Sequence, residues 1–373
     1  MKGDFFNRIG VADMERVHSA VIGWMLSNDC KALTPQQKSE LLCGLFDVKP
    51  IRQFGTFRVE VEHHNIDLVI ITDENTSNAT CWVIENKIKS SQHSNQLDKY
   101  VDIVQGKQVK IGRITHKITD YVNMAQHFCF LTLIGEDPQC SRRVVWEKKT
   151  YDDLGGLLNN YSLSHNSSTD AVILNEYLEC IKNLTDAIND FLSNHQNYPN
   201  VFIDGVRQKN PKIKTNGQAN GTYADFIAEN GLETIFQKCF LSHIMKKTNY
   251  FKTGFSILET HGTALAENKK WKTVNKTELG IQFQDGTFKV QVVGPSSLST
   301  ISFWKHWDQV FPKLQNCNGW QRNESKNRKG PYFSYSIRKN KCWYANDVVS
   351  IANEWDRMFN DCLVVRQELE TYC

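Results

Sequence analysis

Apolar positions recur at spacings of three and four near the start of the chain. Met14, Val17, Val21, Trp24 and Met25 form one such stripe, which predicts a helix with a buried face. Thr34-Pro35 restarts a second helix, since proline is tolerated at the first helical position, and the helical region extends from Phe5 to about Phe46. The period then changes. Phe57 to Glu62 and Ile66 to Thr72 read as strands, and after the polar turn Asp73 to Thr80 the run Cys81-Trp82-Val83-Ile84 leads into Glu85-Asn86-Lys87-Ile88. Polar punctuation on both sides predicts a hairpin. Ser90 or Ser91 is placed to cap a helix running to about Val104, with Leu97, Tyr100, Val101 and Val104 on its apolar face. Strands are expected at His127 to Ile134 and Arg143 to Lys148, then helices at Asp152 to Asn160 and Asp170 to Leu192.

Periodicity disappears between His195 and Gly221, a stretch of Asn, Lys, Gly and Pro that suits a linker. Beyond it, Tyr223 to Lys247 is expected as helix, Phe251 to Val293 as antiparallel strands, and Phe303 to Leu314 and Asp347 to Cys362 as further helices. The expected division is therefore a catalytic domain over 1–195, a linker over 196–221 and an α+β domain over 222–373, in keeping with 373 residues.

Composition narrows the class. With 40% apolar residues, 20 Phe, 12 Tyr and 9 Trp, the chain can bury a real core instead of staying unfolded. No apolar run approaches the roughly 18–20 residues of a membrane helix, and Met1-Lys2-Gly3-Asp4 does not open a secretion signal. A soluble, cytoplasmic protein with no membrane partner is expected. The 11 cysteines contain no C-x-x-C pair, so free thiols in a reducing compartment are expected instead of zinc or disulfides. Walker, G-x-G-x-x-G, H-E-x-x-H and G-x-S-x-G patterns are absent. The net charge of +3 conceals an asymmetry: Gly205 to Ala345 holds 22 Lys and Arg against 9 Asp and Glu, a balance of +13, which leaves −10 elsewhere. The basic part is suited to a polyanion.

Candidate chemistry lies at the end of the central hairpin. On a strand Glu85 and Lys87 point to one face, at the end of an otherwise apolar run, and burying both requires a partner such as a metal ion or a phosphate, or else solvent. Asp67 interrupts the preceding strand. Two carboxylates on adjacent strands, without cysteines or a convergent histidine cluster, suit Mg²⁺ or Mn²⁺. By itself the same pattern also suits a structural salt bridge. His63-His64 lacks the further spacing that a histidine metal site needs.

Asp67, the hairpin, Glu85-Asn86-Lys87 and the following Gln96-Leu97-Asp98-Lys99-Tyr100 together resemble the PD-(D/E)xK nuclease superfamily. The form I-D-L-V-I, V-I-E-N-K-I and Q-L-x-x-Y is similar to a bacterial, defence-associated branch, and Phe6 to Leu26 resembles that branch's first helix. The resemblance covers roughly residues 5 to 160, and departs from the superfamily's name in having Ile66 where proline is usual. It implies a restriction-endonuclease-like α/β core, a central mixed sheet flanked by helices, carrying a Mg²⁺- or Mn²⁺-dependent nuclease. DNA is the substrate it favours, with defence against foreign DNA as a setting. Asp67, Glu85 and the Asn86 carbonyl would hold metal, with Glu15 reaching it through water. Lys87 would orient the water or stabilise the transition state. Gln96 and Tyr100, one helical turn apart, look back at the site. His18 receives no role.

Two basic stretches are candidates for phosphate contact. Lys107, Lys110, Arg113 and Lys117 follow the helix bearing Gln96. Arg322, Lys326, Arg328 and Lys329 interleave with Trp320, Tyr332, Phe333, Tyr335 and Trp343, a mixture fit for base stacking or equally for a half-buried strand. Cutting both strands of a duplex favours a homodimer, and a regulatory protein partner is also open. The alternatives carried forward are a ribonuclease, a catalytically silent nucleic-acid-binding protein, and an interaction protein in which the charged strand end is only a salt bridge.

Overall fold

The computed structural model describes residues 3–372 except for 50–51, 91, 93–94, 162–167, 203–220, 252–253, 261–262, 311, 316–318, 324–330 and 339–342. Two compact units emerge, one formed by Met1–Asn189 with Asp225–Leu232 and the other by Asp190–Ala224 with Glu233–Cys373. Of the interval 196–221 expected as linker, residues 203–220 lie outside the described residues; the part before them contains 3₁₀ turns at His195–Asn197 and Pro199–Phe202.

The first unit is a mixed five-stranded sheet flanked by helices, as a restriction-endonuclease-like core requires. Helices α1 (Phe5–Arg8), α2 (Glu15–Leu26) and α3 (Pro35–Leu45) lead into strands β1 (Phe57–His63), β2 (Ile66–Thr72) and β3 (Thr80–Lys87). Thr34 caps α3 with a reciprocal capping box to Gln37. After α4 (Gln96–Val104) and the short hairpin β4 (Val109–Ile111) and β5 (Ile114–His116) come β6 (Ala125–Thr132), β7 (Trp146–Thr150), α5 (Tyr151–Asn159) and α6 (Thr169–Asn194). The sheet order is β1-β2-β3-β6-β7, with antiparallel pairing from β1 to β3 and parallel pairing from β3 to β7. β3 is buried along its whole length.

Alternation sorts the side chains of β3 between two layers. Cys81 and Val83 join Val69 and Ile71 of β2 in a core with Leu97, Tyr100, Val101 and Val104 of α4. On the other face α2 packs close to the sheet. A Cβ added at Gly23 would lie 3.0 Å from both Leu68 Cδ1 and Val61 Cγ2, so the glycine permits the approach that brings the start of α2 to the end of β3.

Two expectations need correction here. The helix after β3 begins at Gln96 and not near Ser90, and its N-cap, Asn95, is left-handed (φ 61°) with no side-chain cap. Ser90 is engaged elsewhere, as described below, and Ser91 lies outside the described residues. The single helix expected over Tyr223 to Lys247 is two, α7 (Ala224–Glu229) and α8 (Glu233–Lys247), separated at Gly231 with φ 57°, a conformation glycine adopts without steric penalty.

The second unit carries a six-stranded sheet, ordered β12-β13-β11-β10-β9-β8, from β8 (Ser256–Thr260), β9 (Thr263–Val274), β10 (Thr277–Gln284), β11 (Thr287–Val293), β12 (Gln321–Arg322) and β13 (Tyr332–Arg338). Helices α9 (Thr300–Val310), α10 (Pro312–Gln315) and α11 (Val348–Tyr372) complete it. Its core is aromatic, with Phe236, Phe240, Trp307 and Trp355 almost fully buried. The eight described cysteines are free thiols, and no described helix is long and apolar enough to cross a membrane.

Gly23→Val should therefore destabilise the protein by about 1–3 kcal/mol, the usual cost of inserting methyl groups into a packed interface. A urea unfolding midpoint equal to wild type would show that α2 does not need this close approach.

Candidate active site

Strands β2 and β3 stay paired from Thr72–Thr80 as far as Leu68–Ile84 and then part. The next positions in register are Asp67 and Glu85. On the far side of β2 the ladder with β1 is also interrupted, passing from Val61–Leu68 to His63–Ile66 without a Glu62–Asp67 pair, and Glu62 is left-handed with φ 53°. That conformation costs an ordinary residue on the order of 1–2 kcal/mol. The backbone around Asp67 is thus freed from sheet pairing, and its Oδ2 instead accepts the Asn86 N–H at 2.8 Å. The two-residue turn His64-Asn65 that precedes β2 has both residues left-handed, φ 54° and 63°, as a type I′ hairpin demands.

Glu85 is 0% exposed and Lys87 5%. They face the α4 side of the sheet, where Lys87 Nζ forms an ion pair with Glu85 Oε1 and lies 3.9 Å from Glu15 Oε2. Both Glu85 oxygens are buried with no hydrogen bond of ordinary geometry. Burial and, next, the Asp67 charge push its pKa up to about 8 against the opposing pull of Lys87. Burial also raises Asp67, despite Lys87. Lys87 is itself raised, because attraction to Glu85 and Asp67 outweighs the burial that would discharge it. A buried acid, Glu85, and the half-buried Asp67 are thus held beside one ammonium, an arrangement that a further cation would relieve. Among the described residues no group of three or more His, Cys, Asp or Glu converges as a metal cluster. Asp67 and Glu85 are the donor pair, and their carboxyl oxygens fit a hard divalent ion.

Glu15, at the start of α2 and implied by the resemblance to reach metal through water, binds the turn after β3. Its Oε1 accepts the N–H groups of Ile88, Lys89 and Ser90 at 2.9, 3.0 and 2.8 Å, and the Ser90 hydroxyl reaches both oxygens. Burial raises its pKa, but Lys87 and these hydrogen bonds prevail and the net shift is downward. Glu15 therefore stays ionised and pins the turn after β3.

Tyr100 is buried and donates to the Asn65 carbonyl at 2.5 Å, while Gln96 Nε2 donates to the Tyr100 hydroxyl at 2.8 Å. The pair braces the turn from which β2 starts. Burial, followed by the Glu85 and Asp67 charges, raises the Tyr100 pKa, so the phenol remains neutral beside the carboxylates. His18 packs against Tyr151 and Tyr177, and burial lowers its pKa to about 4, which keeps it uncharged.

The side-chain partners of Asn86 escaped sequence reasoning. Asn86 points to the other face from Glu85 and Lys87, where it meets Ser19 and Tyr151. Strand alternation predicts its direction, but nothing in the sequence pairs it with a tyrosine 65 positions away.

The basic stretches divide. Lys107, Lys110, Arg113 and Lys117 are exposed on or beside the β4–β5 hairpin, with Lys107 paired to Asp102 at 2.7 Å. Arg322 pairs with Asp308 at 2.7 Å and lies over the Phe333 ring. Lys326, Arg328 and Lys329 lie outside the described residues. Trp320, Phe333 and Tyr335 are each 3% exposed, so their alternation serves the core of the sheet and not base stacking.

Residues 3–179 match the family model of the PD-(D/E)XK nuclease superfamily, a span that contains the whole mixed sheet and the Asp67–Glu85–Lys87 cluster. No curated protein and no solved structure matches the chain significantly. The similarity, over just under half of the chain, is to nucleases that hydrolyse phosphodiester bonds.

Proposed function

We propose that this protein is a metal-dependent nuclease that hydrolyses DNA, with Mg²⁺ or Mn²⁺ held by Asp67, Glu85 and the Asn86 carbonyl. The observation that carries this reading is the fully buried Glu85 beside Asp67, two acids that share one compensating ammonium, Lys87. Burying two acids against a single ammonium is costly in a merely structural role. A bound divalent ion would supply polarisation of the scissile phosphate and a water acidic enough to attack it.

The chain's own groups do the rest. Lys87 remains an ammonium at neutral pH and offers its protons to charge building on the phosphate oxygens. Glu15 holds the turn at Ile88 to Ser90, and Gln96 with Tyr100 holds the turn before Asp67, so the two strand ends stay fixed around the reacting group. Lys107, Lys110, Arg113 and Lys117 contact phosphates without reading sequence, and Arg322, Lys326, Arg328 and Lys329 add affinity from the C-terminal domain. The protein acts in the cytoplasm in defence against foreign DNA, and as a homodimer, since one site cuts one strand.

Asp67→Asn and Glu85→Gln should abolish cleavage, while Lys87→Ala should reduce turnover at least about a hundredfold with little change in DNA affinity measured in Ca²⁺. Plasmid, linear duplex, single-stranded DNA and RNA, each with Mg²⁺ or EDTA, form the substrate panel. Activity in EDTA, or more than about a tenth of wild-type rate in either carboxylate variant, contradicts the metal assignment; cleavage confined to RNA contradicts the substrate.

A second expectation follows from protonation. Glu85 titrates near 8 when folded but near 4.3 when unfolded, so between these values the folded state binds the extra proton. Stability of the metal-free protein should therefore fall as pH rises through that window, by up to about 1.4 kcal/mol per pH unit. Glu85→Gln should flatten this dependence in urea unfolding at pH 5 to 8. Equal slopes for both proteins would place the carboxyl proton elsewhere.

A further inference from the structure

Asn86 stands between Glu85 and Lys87, and its hydrogen bonds reach three other elements, β2, α2 and α5. Its main-chain N–H is given to Asp67 of β2 at 2.8 Å. Its side-chain Nδ2 donates to the Glu15 carbonyl at 3.0 Å and to Ser19 Oγ at 3.1 Å, both on α2. Its Oδ1 accepts the Tyr151 hydroxyl, from α5, at 2.7 Å. All this is sealed from water, with Asn86, Ser19 and Tyr151 exposed by 1%, 2% and 0%.

We propose that Tyr151 is a positioning residue for the metal-binding carboxylates, acting through Asn86. The inference rests on the nuclease reading above and deepens it. An amide has one orientation that gives its NH₂ to two acceptors and its oxygen to a donor. The Glu15 carbonyl, which only accepts, excludes the flipped form, and Tyr151 supplies the donor that the remaining orientation needs. With its side chain fixed on one face, Asn86 fixes the directions in which Glu85 and Lys87 leave the other face, because strand neighbours share one backbone. Its N–H also fixes Asp67, so β2, β3 and α2 are joined at one residue. Tyr151 is in turn held by His18, whose ring lies 5.1 Å from its own. Partners of this kind, one bond removed from a metal ligand, typically change metal affinity or activity 10- to 100-fold when lost.

The test compares Tyr151→Phe with Tyr121→Phe in the full chain. Tyr121 is an equally buried tyrosine that donates to Glu60 at 2.6 Å and has no hydrogen bond to Asn86. Amide hydrogen exchange is measured without metal, and Mn²⁺ affinity by calorimetry. In Tyr151→Phe, the amides of residues 86–90 should exchange about tenfold faster relative to those of 82–84 in the same strand, and the Mn²⁺ Kd should rise about tenfold. Tyr121→Phe should do neither. Unchanged exchange at 86–90, or the same acceleration in Tyr121→Phe, overturns the proposal. Should Tyr151→Phe fail to fold, Ser19→Ala, which removes one acceptor for Asn86, is read in the same way. Wild-type protein that takes up no Mn²⁺ would count against the metal reading of Asp67 and Glu85, while the exchange comparison still decides Tyr151.

Discussion

An acid removed from water beside a second acid, with one ammonium shared between them, is the constraint on which the first unit depends. Glu85 occupies the fully buried central strand of the mixed sheet, and Lys87 compensates it. Desolvation and the nearby Asp67 oppose its ionisation. A core optimised for stability alone would place a hydrophobic residue there. What the arrangement obtains is a preformed pair of acids with an ammonium already beside them.

The surrounding fold maintains that arrangement against its own repulsion. β2 and β3 separate just before the acids face each other, so Asp67 is released from the ladder and can be held by the Asn86 amide. From the N-terminal side, Gly23 allows α2 close to the sheet, which delivers Glu15 to three consecutive amides after β3. From the other side, α4 brings Tyr100 to the turn before β2. Each support comes from a different helix, yet all converge on the ends of two strands.

Much of this is legible in the sequence because it is local. The change of period from helix to strand, the Thr34-Pro35 start and the hairpin from Ile66 to Lys87 all leave patterns within a few residues, and strand alternation alone puts Glu85 and Lys87 on one face. What the sequence conceals depends on contact between distant segments. Ser90 has the composition of a helix cap, but Glu15, 75 positions earlier, claims it. Nothing local to Glu15 shows that its Oε1 accepts the amides of Ile88, Lys89 and Ser90. Trp320, Phe333 and Tyr335 have spacing that suits stacking on bases or packing in a sheet, and only the fold of the second unit, where they are buried, separates the two. Tyr151 gives no local signal at all.

Calorimetry of Mn²⁺ binding at pH 7, repeated in buffers of different ionisation enthalpy, reads most directly whether the buried acid is the metal ligand. With the folded Glu85 titrating near 8, close to one proton should leave per ion bound by wild-type protein, and Glu85→Gln should bind far more weakly without that release. Binding that liberates no proton, or that liberates the same number from the variant, would contradict the assignment of Glu85 as a neutral acid that ionises to hold the metal.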